Sequence, residues 1–222
     1  MTDVLITPIE HLVLPQVSWD TFERLIDEKG KARLRVSYLD GQVEFMRTEL
    51  GHHNLVQGIE RLAFVAALER RVPIRSGGSA TLKQPACRLC IEPDACFWIK
   101  TEATMRSSKQ WIARTDPPPD LAIEVDVPYA CLDRMRIFAA LRVTEVWRFD
   151  GDRLEVHLLN ASGRYRKQTR STAFPWLPMN VLDRFVKKLG SADEVALIQE
   201  FIEWLRSNVV GKYSSEQKNG RR

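Results

Sequence analysis

Two acidic residues lie in stretches of sequence that otherwise read as interior. Residues 120–127 spell DLAIEVDV, and strand alternation there puts Ile123, Val125 and Val127 on one face and Ala122, Glu124 and Asp126 on the other. Residues 91–99 spell IEPDACFWI, in which Asp94 shares a face with Cys96 and Trp98 and follows a proline that fixes the local path. A carboxylate in so apolar a strand must be paired, protonated or bound to a metal, because burying it bare is very costly. One such acid is ordinarily salt-bridged to an arginine. Two in equivalent settings point to a shared site. Hard oxygen donors of this kind suit Mg²⁺, or Mn²⁺, rather than zinc. Such a cation polarises a phosphoryl oxygen and lowers the pKa of bound water, which is the chemistry of phosphodiester hydrolysis.

Other reactive residue types are weaker signals. Cys87-x-x-Cys90, with Cys96 nearby, has zinc-ligand spacing, but no paired second half follows, so thiols in a loop are the plainer reading. His52 and His53 open an amphipathic run, where histidine serves either capping and hydration or a site. Glu44 alternates with Val43 and Phe45, as a solvent-facing strand residue or an inward acid would. Arg106, Lys109, Arg114, Arg134, Arg136 and Arg142, with Trp98 and Trp111, surround these segments as a DNA-facing rim or an ordinary solvated face.

The elements that must position these groups read as α/β or, more loosely, α+β. Residues 1–15 form an apolar edge segment or arm. Ser18 caps a helix over 19–29, and Gly30 suits its left-handed end. RLRVSYL and QVEFMR flank Asp40-Gly41, a strong hairpin signal because that turn needs positive φ. Leu55, Ile59, Leu62, Ala66 and Ala67 recur at helical spacing, predicting a helix over 52–70 that ends before Pro73. PIRSGGSATLK reads as strand, Gly-Gly bend and strand. Residues 91–99 and 120–127 read as strands and 131–141 as a short helix. A second hairpin turns at Gly151-Asp152, with a third strand near Arg164–Thr169. Helices follow over 179–189 and 193–208. The apolar face of the last (Val195, Leu197, Ile198, Phe201, Ile202, Leu205) serves either the core or a dimer.

With 222 residues, the chain is expected to form one domain over 1–210, followed by a disordered basic tail over 211–222. Its net charge of +4 permits a polyanionic partner without arguing for one, since only clustered charge makes a footprint. No apolar run is long enough to span a bilayer, so no membrane partner is expected. Four cysteines without a signal-like N-terminus predict a reducing, cytoplasmic setting.

From about Trp19 to Trp204 the chain resembles the Uma-two family of restriction-endonuclease-like proteins. The likeness rests on VSWDTFERL, YLDGQVEFM, Gly51-His52, GGSATLK, IEPDACFWI, DPPPDLAIEVD and LDRMRIFAALRVTEVWRFDG. The resemblance implies a PD-(D/E)XK core, a mixed central sheet flanked by helices with a metal held by acids. Asp94 then takes the place of the motif's first aspartate and Glu124 that of its second acid, with the carbonyl of Val125 as a further ligand. Glu44 corresponds to an additional acid and His52 to a histidine of the family pattern. The lysine position two residues after Glu124 holds Asp126. The family pattern moves that charge to the next helix, here Arg134, while Lys83 is an alternative source of an ammonium. Arginine stays protonated and cannot act as a base, but it can stabilise developing charge.

The resulting expectation is a Mg²⁺-dependent endodeoxyribonuclease with DNA as partner, possible as a homodimer. The rival is a catalytically silent nuclease-fold module that binds nucleic acid or a protein, motivated by the missing lysine. Hydrolysis of a glycosidic bond by the two acids ranks last, because it needs a general acid of raised pKa in a sugar cleft.

Overall fold

A computed structural model describes residues 11–29, 34–47, 49–126 and 131–210. The expected cap at Gly30, the arm over 1–10, Val127 and the tail over 211–222 lie outside these residues. The fold is α+β, with strands divided between two sheets.

The first sheet grows from the predicted hairpin. Strand β2 (Arg35–Leu39) turns through Asp40 and Gly41, both at positive φ, into β3 (Gln42–Met46). Strand β1 (His11–Leu14) joins the outer edge of β3, so the apolar lead becomes an edge strand. Helix α1 (Trp19–Lys29) starts where Ser18 Oγ accepts the Thr21 amide at 3.2 Å, and it packs Trp19 and Phe22 on Tyr38 and Val43. Strands β5 (Leu82–Gln84) and β6 (Leu89–Ile91) complete the order β1-β3-β2-β6-β5, antiparallel throughout.

The second sheet has the order β11-β10-β9-β8-β7-β4. Its members are β4 (Arg75–Gly78), β7 (Ala95–Trp98), β8 (Leu121–Val125), β9 (Glu145–Phe149), β10 (Leu154–Leu159) and β11 (Tyr165–Gln168). Only β8 and β9 run parallel, and the chain between them carries the short helix α4 (Arg134–Ala140). A parallel pair needs such a crossover. The long helix α2 (Leu50–Glu69), with α5 (Met179–Val186) and α6 (Glu194–Leu205), covers one face of this sheet. On the other face Ala122 and Val146 meet α4 and the first sheet through Leu39, Leu82, Ile91, Ile137 and Phe138. Leu197, Phe201 and Leu205 of α6 are buried in the chain's own core. A short helix α3 (Glu102–Met105) follows β7.

The single strand expected over 91–99 is instead two, in different sheets. Leu89–Ile91 belongs to the first and Ala95–Trp98 to the second, and the chain crosses between them at Glu92-Pro93-Asp94. Proline has no N–H to donate, so the ladder stops there. The chain crosses in the opposite sense after Gly77-Gly78. Gly78 is at φ +53, and a Cβ on Gly77 would stand 2.5 Å from Trp98 Cζ3 and 2.7 Å from Cys96 Sγ. The break between sheets, which no strand pattern announces, is where the two acids sit.

Candidate active site

Antiparallel pairing of β7 with β8 matches Ala95 to Ile123 and Cys96 to Ala122. Continuing that register by one residue sets Asp94 opposite Glu124 at the ends of neighbouring strands. Their faces follow from alternation, with Ile123 and Val125 in the helix-covered core and Glu124 turned toward α4 and the first sheet. Both acids are buried.

Each acid is held by cations from outside the second sheet. Arg134, first residue of α4, grips Glu124 in a fork, with Nε to Oε2 and Nη2 to Oε1 both at 2.8 Å. The same guanidinium donates to Ser37 Oγ at 2.7 Å and to the Glu92 carbonyl at 2.8 Å, so it ties the two sheets together. Asp133 caps this helix by accepting the Arg136 amide at 3.0 Å, which fixes where Arg134 begins. Asp94 Oδ1 lies 2.6 Å from His52 Nε2 and forms an ion pair with Arg35, and Oδ2 accepts the Val125 amide at 2.8 Å. Arg35 is buried on β2, its Nη1 is the atom of the ion pair with Asp94, and its Nε has no hydrogen-bond partner among the described residues.

The two acids titrate in opposite directions. Burial pushes the Glu124 carboxyl up from its ordinary value, and the Asp94 charge pushes the same way against Arg134 and Arg35. Burial also disfavours the Asp94 anion, but the His52 hydrogen bond, the Arg35 charge and the Val125 amide outweigh it and hold Asp94 low. Burial opposes the charged form of Arg134 too, and the anions around it, Glu124 first, hold its pKa above the ordinary value. Paired carboxylates driven apart in this way are typical of functional sites.

The donor set fits a hard dication. Among the described residues, Asp94 Oδ2 and each oxygen of Glu124 accept one hydrogen bond, which leaves a lone pair on all three. Two clefts reach the site, and Arg35 lines both. One, of about 240 Å³, opens on Glu124, Val125 and Arg134; the other, of about 700 Å³, opens on Asp94, His52, Arg47 and Lys29.

Asp94, Glu124, Val125, Arg134 and His52 therefore come together. Glu44 lies wholly buried on β3, where it takes the Cys131 amide at 2.6 Å and faces His11 Nε2 at 2.9 Å. Lys83 points elsewhere: its Nζ donates to Glu23 of α1 at 2.9 Å, and among the described residues no bond ties it to either acid. Trp98 is buried, and both it and Trp111 donate their indole N–H to the Pro117 carbonyl, so the expected aromatic rim is structural. Arg106 and Arg136 of the expected basic rim are engaged by Glu102 and Asp40, while Lys109, Arg114 and Arg142 are exposed. The zinc spacing at Cys87 and Cys90 does not converge, since one residue is exposed and the other buried.

Sequence reasoning passed over Arg35 and Glu92. Glu92 is buried and accepts from Lys29, the Val36 amide and Thr81. An arginine at a strand position followed by apolar residues was a usable signal for the first.

The family described as "Putative restriction endonuclease" matches residues 19–184, most of the chain. The chain belongs to this family, Uma2. Among solved structures the chain is similar to a "putative nuclease" from Anabaena variabilis, at 14% identity and a TM-score of 0.49, over 85% of this chain and 99% of that one. No curated protein matches the chain in sequence. Among the described residues no helix is long and apolar enough to cross a membrane.

Proposed function

We propose that this Uma2 chain is a divalent-metal-dependent nuclease acting on DNA, and that its described elements up to residue 210 form one restriction-endonuclease-like domain. The observation that carries the reading is the facing pair of buried carboxylates, Asp94 and Glu124, with lone pairs left over beside the guanidiniums of Arg35 and Arg134. Asp94, Glu124 and the Val125 carbonyl would hold Mg²⁺ or Mn²⁺. When bound, the ion supplies a water of lowered pKa and a counter-charge for the scissile phosphate.

The chain's own groups do the rest. Arg134 aims Glu124 through its fork and, always protonated, offers positive charge to a phosphoryl oxygen rather than a base. His52 fixes the orientation of Asp94 through Oδ1. Arg35 lines both clefts; its Nη1 is held in the ion pair with Asp94, and its Nε–H, which has no hydrogen-bond partner among the described residues, can donate to an arriving phosphate. Arg47 and His53 lie along the wider cleft, where a phosphate backbone would be positioned.

A second reading has its own observation. Both oxygens of Glu124 are already engaged by Arg134, so the guanidinium can serve as a permanent replacement for the metal. The chain would then bind nucleic acid without cutting it.

Plasmid cleavage across Mg²⁺ and Mn²⁺, with chelator controls, decides between them. Metal-dependent nicking that vanishes in Asp94→Asn and Glu124→Gln, with folding intact by circular dichroism, supports the nuclease. Salt-sensitive DNA binding without cleavage under either metal supports the silent module.

A further inference from the structure

A different cluster lies on the first sheet, beside the nuclease-like acids but with another donor chemistry. On β3, Glu44 pairs in register with Val13 of β1, and His11 pairs with Met46 two residues on. His11 and Glu44 are therefore diagonal neighbours on one face. The chain entering α4 brings Cys131 to the same place, its backbone amide 2.6 Å from Glu44 Oε1. One ring nitrogen, one carboxylate oxygen and one sulfur, from His11, Glu44 and Cys131, all lie within 4.8 Å of one another. Among the described residues no other trio of histidine, cysteine or acidic side chains converges in this way.

The second observation is the state of Glu44. Its side chain is fully buried, Oε1 is engaged, and Oε2 has no hydrogen-bond partner among the described residues. A buried carboxylate oxygen left unmatched is expensive, and the remedies are a donor or a cation. The neighbouring side chains offer an imidazole nitrogen and a thiol sulfur. That mixture is ill-suited to Mg²⁺, which takes oxygen, and well-suited to a borderline ion that takes nitrogen, sulfur and oxygen together.

We propose that His11, Glu44 and Cys131 form a binding site for a zinc-type dication, separate from the Asp94–Glu124 pair. A tetrahedral zinc has bonds of about 2.0–2.3 Å, which spaces its ligand atoms roughly 3.3–3.8 Å apart. The ligand atoms, now within 4.8 Å of one another, would have to draw together by side-chain rotation to reach that spacing. Binding exchanges the thiol S–H bond for a metal–sulfur bond and releases the proton to solvent. His11 is half-buried and Cys131 exposed, so an ion has a way in. The fourth position is left to water or an anion. The bound ion would join β1, β3 and the segment leading into α4, three residues before Arg134. It would thereby brace the helix that presents the arginine to Glu124.

Cobalt(II) reads this site directly, because a thiolate–cobalt bond gives a near-ultraviolet charge-transfer band that oxygen ligands do not. The full-length protein is titrated with Co²⁺ and then with Zn²⁺. The expected result is a band saturating at one ion per chain and abolished by Zn²⁺. It is lost in Cys131→Ser, a surface change that spares the fold, and retained in Asp94→Asn. Retention in that variant separates this site from the proposed nuclease metal. No thiolate band in the wild type, or a band that survives Cys131→Ser, overturns the proposal.

Discussion

Arg134 meets Glu124 with two nitrogens on two oxygens, at 2.8 Å each, inside the protein. A buried pair of this kind is strongly interdependent, since removing one partner strands the other's charge. Arg134→Ala should cost about 3–5 kcal/mol of stability. Adding Glu124→Gln should recover part of that loss, because the stranded anion is gone. Urea denaturation of the two single variants and the double variant measures the coupling. Additive losses would mean that the fork contributes nothing beyond its separate parts.

The close approach of Gly77 to Trp98 and Cys96 gives a prediction about the junction between sheets. Gly77 is at an ordinary φ, so the backbone accepts alanine, but the new methyl has no room. Overpacking of this sort costs about 1–3 kcal/mol. For a chain of this size each kcal/mol lowers Tm by roughly 2–4 °C. Gly77→Ala should therefore melt several degrees lower, while Gly78→Ala suffers from its positive φ instead. A Gly77→Ala melt equal to wild type would show that Trp98 has space to move.

Much of this fold was legible because local chemistry dictated it. Asp40-Gly41 and Gly151 turn hairpins where positive φ is needed, and the helical spacing of Ile59, Leu62 and Ala66 reports the buried face of α2. Asp94 and Glu124 stood out because a charged residue in an apolar strand is a local anomaly. The division into two sheets was not legible, since a run such as IEPDACFWI alternates correctly on both sides of Pro93. Partner choice was equally hidden. Lys83 and Arg35 are both strand cations, and only the tertiary arrangement sends one to Glu23 and the other to Asp94. The meeting of His11, Glu44 and Cys131 likewise depends on sheet register and on the path into α4.

The cysteines divide by burial. Cys87 and Cys131 are exposed, whereas Cys90 and Cys96 are buried. Burial pushes the Cys96 thiol up to about 12 and moves Cys90 in the same direction. Thiolate is the reactive form, so both stay unreactive near neutral pH. Labelling of the native, metal-stripped protein with an aromatic disulfide reagent should give two rapid equivalents, with two more only after unfolding. A third rapid equivalent would place Cys90 or Cys96 at the surface.

Glu60, on α2 beside the wider cleft, offers a test of pH linkage outside the acid pair. Burial raises its carboxyl above the usual 4.5, opposed by a hydrogen bond from Ser76 and by the nearby charges of His53 and Arg61. A raised carboxylate pKa means that the folded state holds the proton more tightly than the unfolded chain does. Ionisation at neutral pH thus works against folding, and the penalty fades as pH falls through the folded value toward the unfolded one. Glu60→Gln keeps the shape and removes the ionisation. The variant should be more stable than wild type at pH 7, and that advantage should shrink to nothing below about pH 4. Thermal melts at the two pH values measure both limbs. An advantage that persists at low pH would assign the effect to packing rather than to charge.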